Sequence, residues 1–232
     1  MGERIFDREF LSKNRGTDWY GNNAALPCPV CGKLLIVSGF VNKEPRPCPH
    51  CGESKAQIIG EQVRVEWPDA VNQVKVLTRA ELERLRKLED FIRLVAEGGA
   101  ITRKSIADTL RRAEKVAFIE RADRMVAVAA LKRASRGHAA KITEKSEYEL
   151  SDKMRELGYV AVSCEWRGLH LSSRVVDGIL SGIGDESLYA TTSDPKMKSV
   201  LGSRGFRWVG KEFHSEERPA ELLSLWIRVK SE

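Results

Sequence analysis

The segment spanning residues 156–206 constrains the fold most, because strand-like and helix-like patterns alternate along it in a fixed order. Residues 156–163 are rich in β-branched and aromatic side chains and too few for a stable helix, so they predict a buried strand. After a short turn, apolar residues recur every three or four positions, which predicts a helix that begins near His170. The first amides of such a helix lack intrahelical partners, so this turn is suited to binding a diphosphate.

The second half of the segment predicts another strand, helix and strand. Residues 188–192 form the strand, Asp194 can cap the helix, and Pro195 suits its first position. Gly205 can take the left-handed conformation that follows a helix, and Phe206 begins the next strand.

Upstream residues complete the order of elements. Thr78 and Glu81 form a capping box, which predicts one helix that ends at Gly98 and Gly99, and Thr102 can cap a second helix. Residues 116–120 and 125–131 flank a turn and predict a hairpin, and a short strand is expected at residues 74–77. The predicted order is strand, two helices, three strands, helix, strand, helix and two strands, which is a mixed α/β (α+β) fold with helices flanking a central sheet.

This order and the turn after residue 163 resemble the GNAT superfamily of acyl-CoA-dependent N-acyltransferases, over roughly residues 116–230. The family turn reads Arg or Gln, two variable residues, Gly, one variable residue, then Gly or Ala. Here histidine stands where the family usually has its middle glycine, and serine fills the last place. The resemblance implies a GNAT-like sheet and acetyl-CoA as acyl donor. It also implies that the donor is bound by Val162, Ser163, Arg167, Gly168, Leu169, His170, Leu171 and Ser172.

Glu156 is the candidate catalytic residue. It lies six residues before Val162, where the strand is expected to part from its neighbour and admit the acyl donor. Histone-acetylating members of the family carry their general base at the matching place, and a carboxylate can take the amine proton if burial raises its pKa. The alternative is a surface glutamate at a strand end. Glu165 is a lesser candidate, and Leu201 replaces the tyrosine acid of many members.

Four cysteines indicate a zinc ribbon before the acyltransferase region. They form two CxxC pairs separated by sixteen residues, and each pair is followed by glycine. Four thiolates at this spacing can close a tetrahedral zinc site, whereas disulfides would need an oxidising compartment. The predicted ligands are Cys28, Cys31, Cys48 and Cys51. We therefore expect residues 1–59 to form an N-terminal strap and zinc ribbon, and residues 60–232 the acyltransferase domain. Cys164 remains, as a packing residue or a reactive thiol.

The net charge of +6 is concentrated in one region. Residues 103–141 contain eleven Lys or Arg and four Asp or Glu. Residues 132–141 are interpreted as a mobile basic loop beside the acceptor. The loop either contacts a nucleic-acid partner or is exposed to solvent without such a partner. The residues expected to make those contacts are Lys132, Arg133, Arg136 and Lys141.

No apolar run in the sequence reaches the roughly eighteen residues that span a bilayer, and no signal-peptide core follows the first residues. We therefore expect a cytoplasmic protein without a membrane partner. Three functions are considered, and the first is preferred because three separately placed features agree with it. The first is acetyl-CoA-dependent N-acyl transfer to a primary amine on nucleic acid, charged tRNA, protein or a small molecule. The second is nucleic-acid modification or binding on a GNAT scaffold that no longer uses acetyl-CoA. The third is a metal-stabilised interaction module.

Overall fold

A computed structural model describes residues 2–7, 18–20, 23–39, 44–68, 73–99, 103–121, 124–184 and 186–229 of the 232-residue chain. The chain forms two compact units. The first comprises residues 1–73, 119–126 and 162–171, and the second comprises residues 74–118, 127–161 and 172–232. The domain boundary expected after residue 59 was placed from sequence motifs, whereas these two units are defined by how the chain packs. That domain boundary stays a prediction.

The first unit contains two antiparallel sheets, with strand orders β1-β7-β6-β5 and β2-β3-β4. Residues of β4 alternate between the two faces of its sheet: Leu35 and Val37 are buried, while Leu34 and Ile36 are exposed. The strands are β1 (Gly2–Asp7), β2 (Asp18–Tyr20), β3 (Asn23–Pro27), β4 (Leu34–Ser38), β5 (Arg46–Pro47), β6 (Lys55–Ile59) and β7 (Gln62–Trp67).

The remaining seven strands form one mixed sheet in the order β13-β14-β12-β11-β10-β9-β8. β11 and β12 are parallel, while β8 with β9 and β14 with both β12 and β13 are antiparallel. The strands are β8 (Lys75–Thr78), β9 (Ala113–Arg121), β10 (Arg124–Arg133), β11 (Arg155–Val162), β12 (Leu188–Thr192), β13 (Arg207–His214) and β14 (Leu222–Arg228). β10 lies near the centre, and its residues from Met125 to Lys132 are all buried. A strand covered on both faces reads as a continuous apolar run rather than an alternating one.

Six helices accompany this sheet among the described residues. They are α1 (Arg79–Arg84), α2 (Leu88–Glu97), α3 (Arg103–Leu110), α4 (Arg136–Ser146), α5 (Leu171–Ser181) and α6 (Pro195–Gly202). Asp194 caps α6 by accepting a hydrogen bond from the Lys196 amide at 2.9 Å, with Pro195 at the first helical position, as expected. None of the helices in the part of the chain described here combines the length and the apolar character needed to cross a bilayer.

The capping box at Thr78 is present, but the single helix expected after it is wrong. The Thr78 amide donates to the Glu81 carboxylate at 2.8 Å, and the Glu81 amide donates back to the Thr78 hydroxyl. α1 then ends at Arg84, because Arg86 adopts a left-handed φ of 56° and the chain restarts as α2. The apolar spacing does not reveal this break, since Leu82, Leu85 and Leu88 keep helical spacing across it. The expected cap Thr102 and the hairpin turn residues Ala122 and Asp123 lie outside the described residues.

The basic loop expected at residues 132–141 is also wrong. β10 extends through Lys132 to Arg133, and α4 begins at Arg136. Ser135 caps α4 by accepting a hydrogen bond from the His138 amide at 3.2 Å. The many basic residues led to the prediction of a loop, although Ser135 marks the start of a helix. One helix must therefore be added to the predicted order between the third and fourth strands of this sheet.

Candidate functional site

β11 and β12 part immediately after Glu156. Their parallel ladder contains only two pairs, Arg155 with Leu188 and Glu156 with Tyr189. β12 pairs on its other edge with β14 along its whole length. Tyr159 takes a left-handed φ of 54°, which redirects β11 as a bulge does. Among the described residues, β11 and β12 therefore do not pair beyond Glu156.

Glu156 is a buried carboxylate with two buried partners. Only 6% of the residue is exposed, and its Oε1 atom lies 3.0 Å from Lys132 Nζ. The Tyr189 hydroxyl donates to Oε2 at 3.2 Å. Burial, and then the charge of Glu156, raises the pKa of Tyr189 well above its ordinary value. Tyr189 therefore keeps its proton and serves as a hydrogen-bond donor rather than as an acid.

Lys132 is as deeply buried as its partner, with 5% of the residue exposed. Its Nζ atom lies 4.3 Å from the centre of the Tyr159 ring, so the ring face adds a cation–π contact to the ion pair. Gly158 leaves room for both groups. A Cβ atom there would lie 3.2 Å from Lys132 Cε and 3.3 Å from Glu156 Oε1.

His138 connects Glu156 to the surface. Its Nε2 atom lies 3.6 Å from Glu156 Oε2, and 48% of its side chain is exposed. Burial lowers the pKa of His138 and Glu156 opposes that change, while Lys132 and Arg112 lower it further and Glu216 raises it. The net shift is downward, so the imidazole is mainly neutral at neutral pH and can accept a proton. Sequence reasoning missed this histidine, although Ser135 three residues earlier marks the helix start that positions it.

The turn expected to hold a diphosphate precedes α5, which begins at Leu171. Gly168 and His170 both adopt left-handed backbone conformations, with φ of 84° and 55°. His170 thus takes the conformation that glycine adopts readily, at a cost of about 1–2 kcal/mol for a side chain. The imidazole is exposed.

The residues just before this turn are tied down by main-chain hydrogen bonds. The Ser163 amide donates to Val126 O at 2.9 Å, and the Trp166 amide donates to Ser163 O at 2.9 Å. Residues 164–166 form a single 3₁₀ turn that carries the exposed Glu165 and Cys164. Because the Ser163 amide is already bonded, binding of a ligand at that residue would have to use its other groups.

The four predicted metal ligands lie together in the first unit. Their Sγ atoms all lie within 4.8 Å of one another, with 3.7 Å between Cys28 and Cys51 and 3.8 Å between Cys31 and Cys48. All four thiols are free. A disulfide would bring two sulfurs to about 2.05 Å, whereas the edge of a tetrahedron with Zn–S bonds of about 2.3 Å is about 3.8 Å. The sulfur cluster therefore has the size of a Cys₄ zinc site.

The backbone around the cysteines also suits bound thiolates. The amides of Val30 and Cys31 point at Cys28 Sγ from 3.4 and 3.5 Å. Gly32 and Gly52 have nearly equal left-handed φ values of 73° and 72°, so the two knuckles repeat one backbone shape. This repeat explains why glycine follows both CxxC pairs.

Of the four residues expected to contact nucleic acid, Lys132 is excluded and two others take part in ion pairs. Lys132 is buried against Glu156 and cannot reach a phosphate. Arg133 forms an ion pair with Glu114, and Lys141 pairs with Glu216 at 3.2 Å. A count of charges along the sequence therefore misassigned Lys132, which is paired inside the fold.

Comparison with known proteins identifies the fold. No protein-family model matches this sequence, and no curated protein sequence matches it. ElaA from Escherichia coli superposes with a TM-score of 0.51 at 15% identity, over 67% of this chain and 98% of that one. An acyl-CoA N-acyltransferase from Pseudomonas aeruginosa superposes with a TM-score of 0.51 at 14% identity, over 68% of this chain and 99% of that one. At these identities the likeness concerns the fold, and the chain accordingly has the fold of the GNAT acyl-CoA N-acyltransferases.

Proposed function

We propose that this protein transfers an acyl group, acetyl in the simplest case, from coenzyme A to a primary amine. The observation that carries the proposal is the parting of β11 and β12 after Glu156. An extended ligand with amide groups, such as the pantetheine arm of coenzyme A, can pair with the main chain of β11 in place of a strand. The GNAT fold supports the same class of reaction.

The proposed donor contacts divide between β11 and the turn that follows it. Main-chain groups of residues 157–162 take the pantetheine arm, and the amides of residues 168–172 take the diphosphate at the start of α5, since the Arg167 amide already donates to Cys164 O at 3.5 Å. The left-handed conformation of His170 supports this assignment, because the backbone keeps the form that a glycine would give it. Arg167 is exposed at the first position of the turn, where its guanidinium can add charge.

The reaction requires the amine to lose a proton. The amine nitrogen attacks the thioester carbonyl carbon, the C–N bond forms, and the C–S bond breaks as the coenzyme A thiolate leaves. Glu156 is the proposed proton acceptor, and its Oε1 atom lies 3.0 Å from Lys132 Nζ. Because Glu156 is buried and the half-exposed His138 side chain places its Nε2 atom 3.6 Å from the carboxylate, His138 passes the proton from the amine to Glu156.

The role of Glu156 is tested with Glu156→Gln, which keeps the shape of the side chain. We expect acetyl-CoA affinity by calorimetry to stay near the wild-type value, while turnover at neutral pH falls about a hundredfold or more. Glu97→Gln is the matched control, because Glu97 is an exposed glutamate at the end of α2, paired with Arg93 and outside the Lys132 and Tyr189 contacts. Wild-type turnover by Glu156→Gln would remove Glu156 as the base. The absence of acetyl-CoA binding by wild-type protein would refute the proposed function.

We further propose that Cys28, Cys31, Cys48 and Cys51 hold a structural Zn²⁺ ion. The sulfur separations support this metal, and free thiols suit a reducing compartment such as the cytoplasm. Bound zinc would supply folding free energy to the small first unit. Metal analysis should find one zinc per chain in the wild type and much less in Cys28→Ser. A wild-type protein without metal would contradict the proposal.

The acceptor is best found by a direct search. Acetyl-CoA and the protein are incubated with tRNA, protein extract and polyamines, and mass spectrometry detects any acetyl mass gain. Glu156→Gln protein serves as the control, so a modification made equally by both is not enzymatic. Because residues 132–141 do not form the expected basic loop, nucleic acid is not favoured over the other candidate acyl acceptors.

A further inference from the structure

We infer that the first cysteine knuckle, residues 28–32, holds Trp166 in place and thereby supports the turn at residues 167–171. On this inference, loss of metal from the cysteines loosens the turn and weakens acyl-CoA binding. Trp166 and Arg121 are positioning residues, since they act through the turn rather than on the reacting atoms. The inference rests on the proposed function for its effect on coenzyme A, while its structural part stands alone.

Arg121 makes the first link to the knuckle. It is buried in the first unit, and its Nε atom donates to Pro29 O at 3.0 Å. Pro29 lies between the ligands Cys28 and Cys31, so the accepting carbonyl belongs to the metal knuckle itself. A second guanidinium nitrogen donates to Glu120 O at 2.7 Å. Because a buried charge needs hydrogen-bond acceptors, displacement of the knuckle backbone would remove one acceptor from Arg121.

Trp166 makes the second link. It is 5% exposed, and a Cβ atom on Gly32 would lie only 2.9 Å from its Cζ2 atom. The indole therefore packs directly on the glycine that closes the first knuckle. The Arg121 guanidinium lies 5.9 Å from the centre of the same ring, so the two links share a cation–π contact.

Trp166 precedes the turn directly in sequence. It ends the 3₁₀ turn of residues 164–166, and the next residue is Arg167. Gly168 and His170 hold left-handed conformations just beyond it, and such conformations persist where the surroundings fix them. Without metal, a Cys₄ knuckle loses the bonds that define its shape. The indole then loses one wall of its pocket, and the turn loses its fixed starting point.

Gly32→Ala and Gly52→Ala form a matched pair of variants that isolates the contact. Both glycines have the same left-handed φ, so both variants carry the same backbone strain. The new methyl group meets Trp166 only at position 32, because no atom lies within 4 Å of a Cβ at position 52. Both proteins are prepared zinc-loaded, with metal content measured. Hydrogen exchange is followed by mass spectrometry for residues 162–171 and, as reference, for α6.

We expect Gly32→Ala to raise exchange of residues 162–171 above the level in Gly52→Ala, with α6 unchanged in both. Chelation of zinc from the wild type should raise exchange of the same residues. Acetyl-CoA affinity should fall about 5- to 150-fold in Gly32→Ala relative to Gly52→Ala, the range of a typical coupling between sites. Equal exchange of the turn in the two variants would overturn the inference.

The two proposals fail in different ways. If the zinc-loaded wild type binds no acetyl-CoA, the proposed function fails, and the exchange comparison still decides whether the knuckle supports the turn. If acetyl-CoA binds equally to both glycine variants and the turn exchanges equally in both, the inference fails and the proposed function survives.

Discussion

Replacing Lys132 by methionine tests the buried ion pair on which the candidate site is built. The side chains of Lys132 and Glu156 are 6% and 8% exposed, and their charged atoms are 3.0 Å apart. Methionine keeps the length and apolar volume of lysine but removes the charge. The variant therefore leaves the Glu156 carboxylate buried, with the Tyr189 hydroxyl and the more distant His138 as remaining polar partners.

The expected loss is large for a single substitution. Two unit charges at this separation attract by about 5–6 kcal/mol at an effective dielectric constant of about 20. Breaking one side of a buried pair usually costs about 3–5 kcal/mol, because the remaining charge keeps its desolvation cost. We therefore expect the free energy of unfolding to fall by about 3–5 kcal/mol, which is a large share of the roughly 5–15 kcal/mol of an ordinary protein.

The assay is urea unfolding at neutral pH followed by far-ultraviolet circular dichroism. At a slope of about 1–3 kcal/mol per molar urea, the loss moves the midpoint down by roughly 1–5 M. Adding Glu156→Gln to Lys132→Met removes the isolated charge, so we expect the double variant to recover most of the loss. Neutral replacements of buried pairs often cost little.

Lys141→Met is the control, because Lys141 pairs with Glu216 where both side chains are more than half exposed. Its expected cost is about 1 kcal/mol or less. If Lys132→Met costs no more than Lys141→Met, or if the double variant is less stable than Lys132→Met alone, the account of a desolvated ion pair is refuted.

Three further substitutions test other parts of the fold. Gly210→Ala should lower the free energy of unfolding in urea by about 2–5 kcal/mol, because the new Cβ would lie 2.3 Å from Ser146 O at a φ of 66°. Gly60→Ala has a similar φ and open space around the Cβ, so it should cost only about 1 kcal/mol. Equal losses in the two variants would contradict a steric clash at Gly210. Asp194→Ala removes the cap of α6 and should lower the free energy of unfolding by about 1 kcal/mol. Asp194→Asn should keep most of the wild-type stability, because asparagine also caps helices. Because the folded chain binds a proton at His138 less readily than the unfolded chain, stability should fall as pH drops through about 6.5, and this part of the fall should be absent in His138→Asn.

Local signals with a defined backbone shape were predictable from the sequence. The Thr78 capping box, the Asp194 cap and the order of strands around the turn all appear in the structure. Each depends on residues close together in sequence, whose side chains satisfy neighbouring amides. The grouping of the four cysteines was also predictable, since the spacing of two CxxC pairs is typical of a single metal site.

The surroundings of Glu156 were not predictable in the same way. Its partners come from β10, α4 and β12, so the sequence places them far apart. Lys132 was mistaken for a phosphate-binding residue, because a lysine among other basic residues usually faces solvent. Only the position of Lys132 on a central strand distinguishes it from its exposed neighbours. The α4 cap at Ser135 was a readable signal that the run of charge obscured.

Three separate ranges of the sequence make up the first unit, and this limits how the protein can be truncated. Because residues 119–126 and 162–171 fold together with residues 1–73, the cysteine module is not a removable appendage. A shortened gene that begins at codon 60 would strip Arg121 of its carbonyl acceptor and Trp166 of the glycine beneath it. A ribbon transplanted from another protein would need to present both features at the same places.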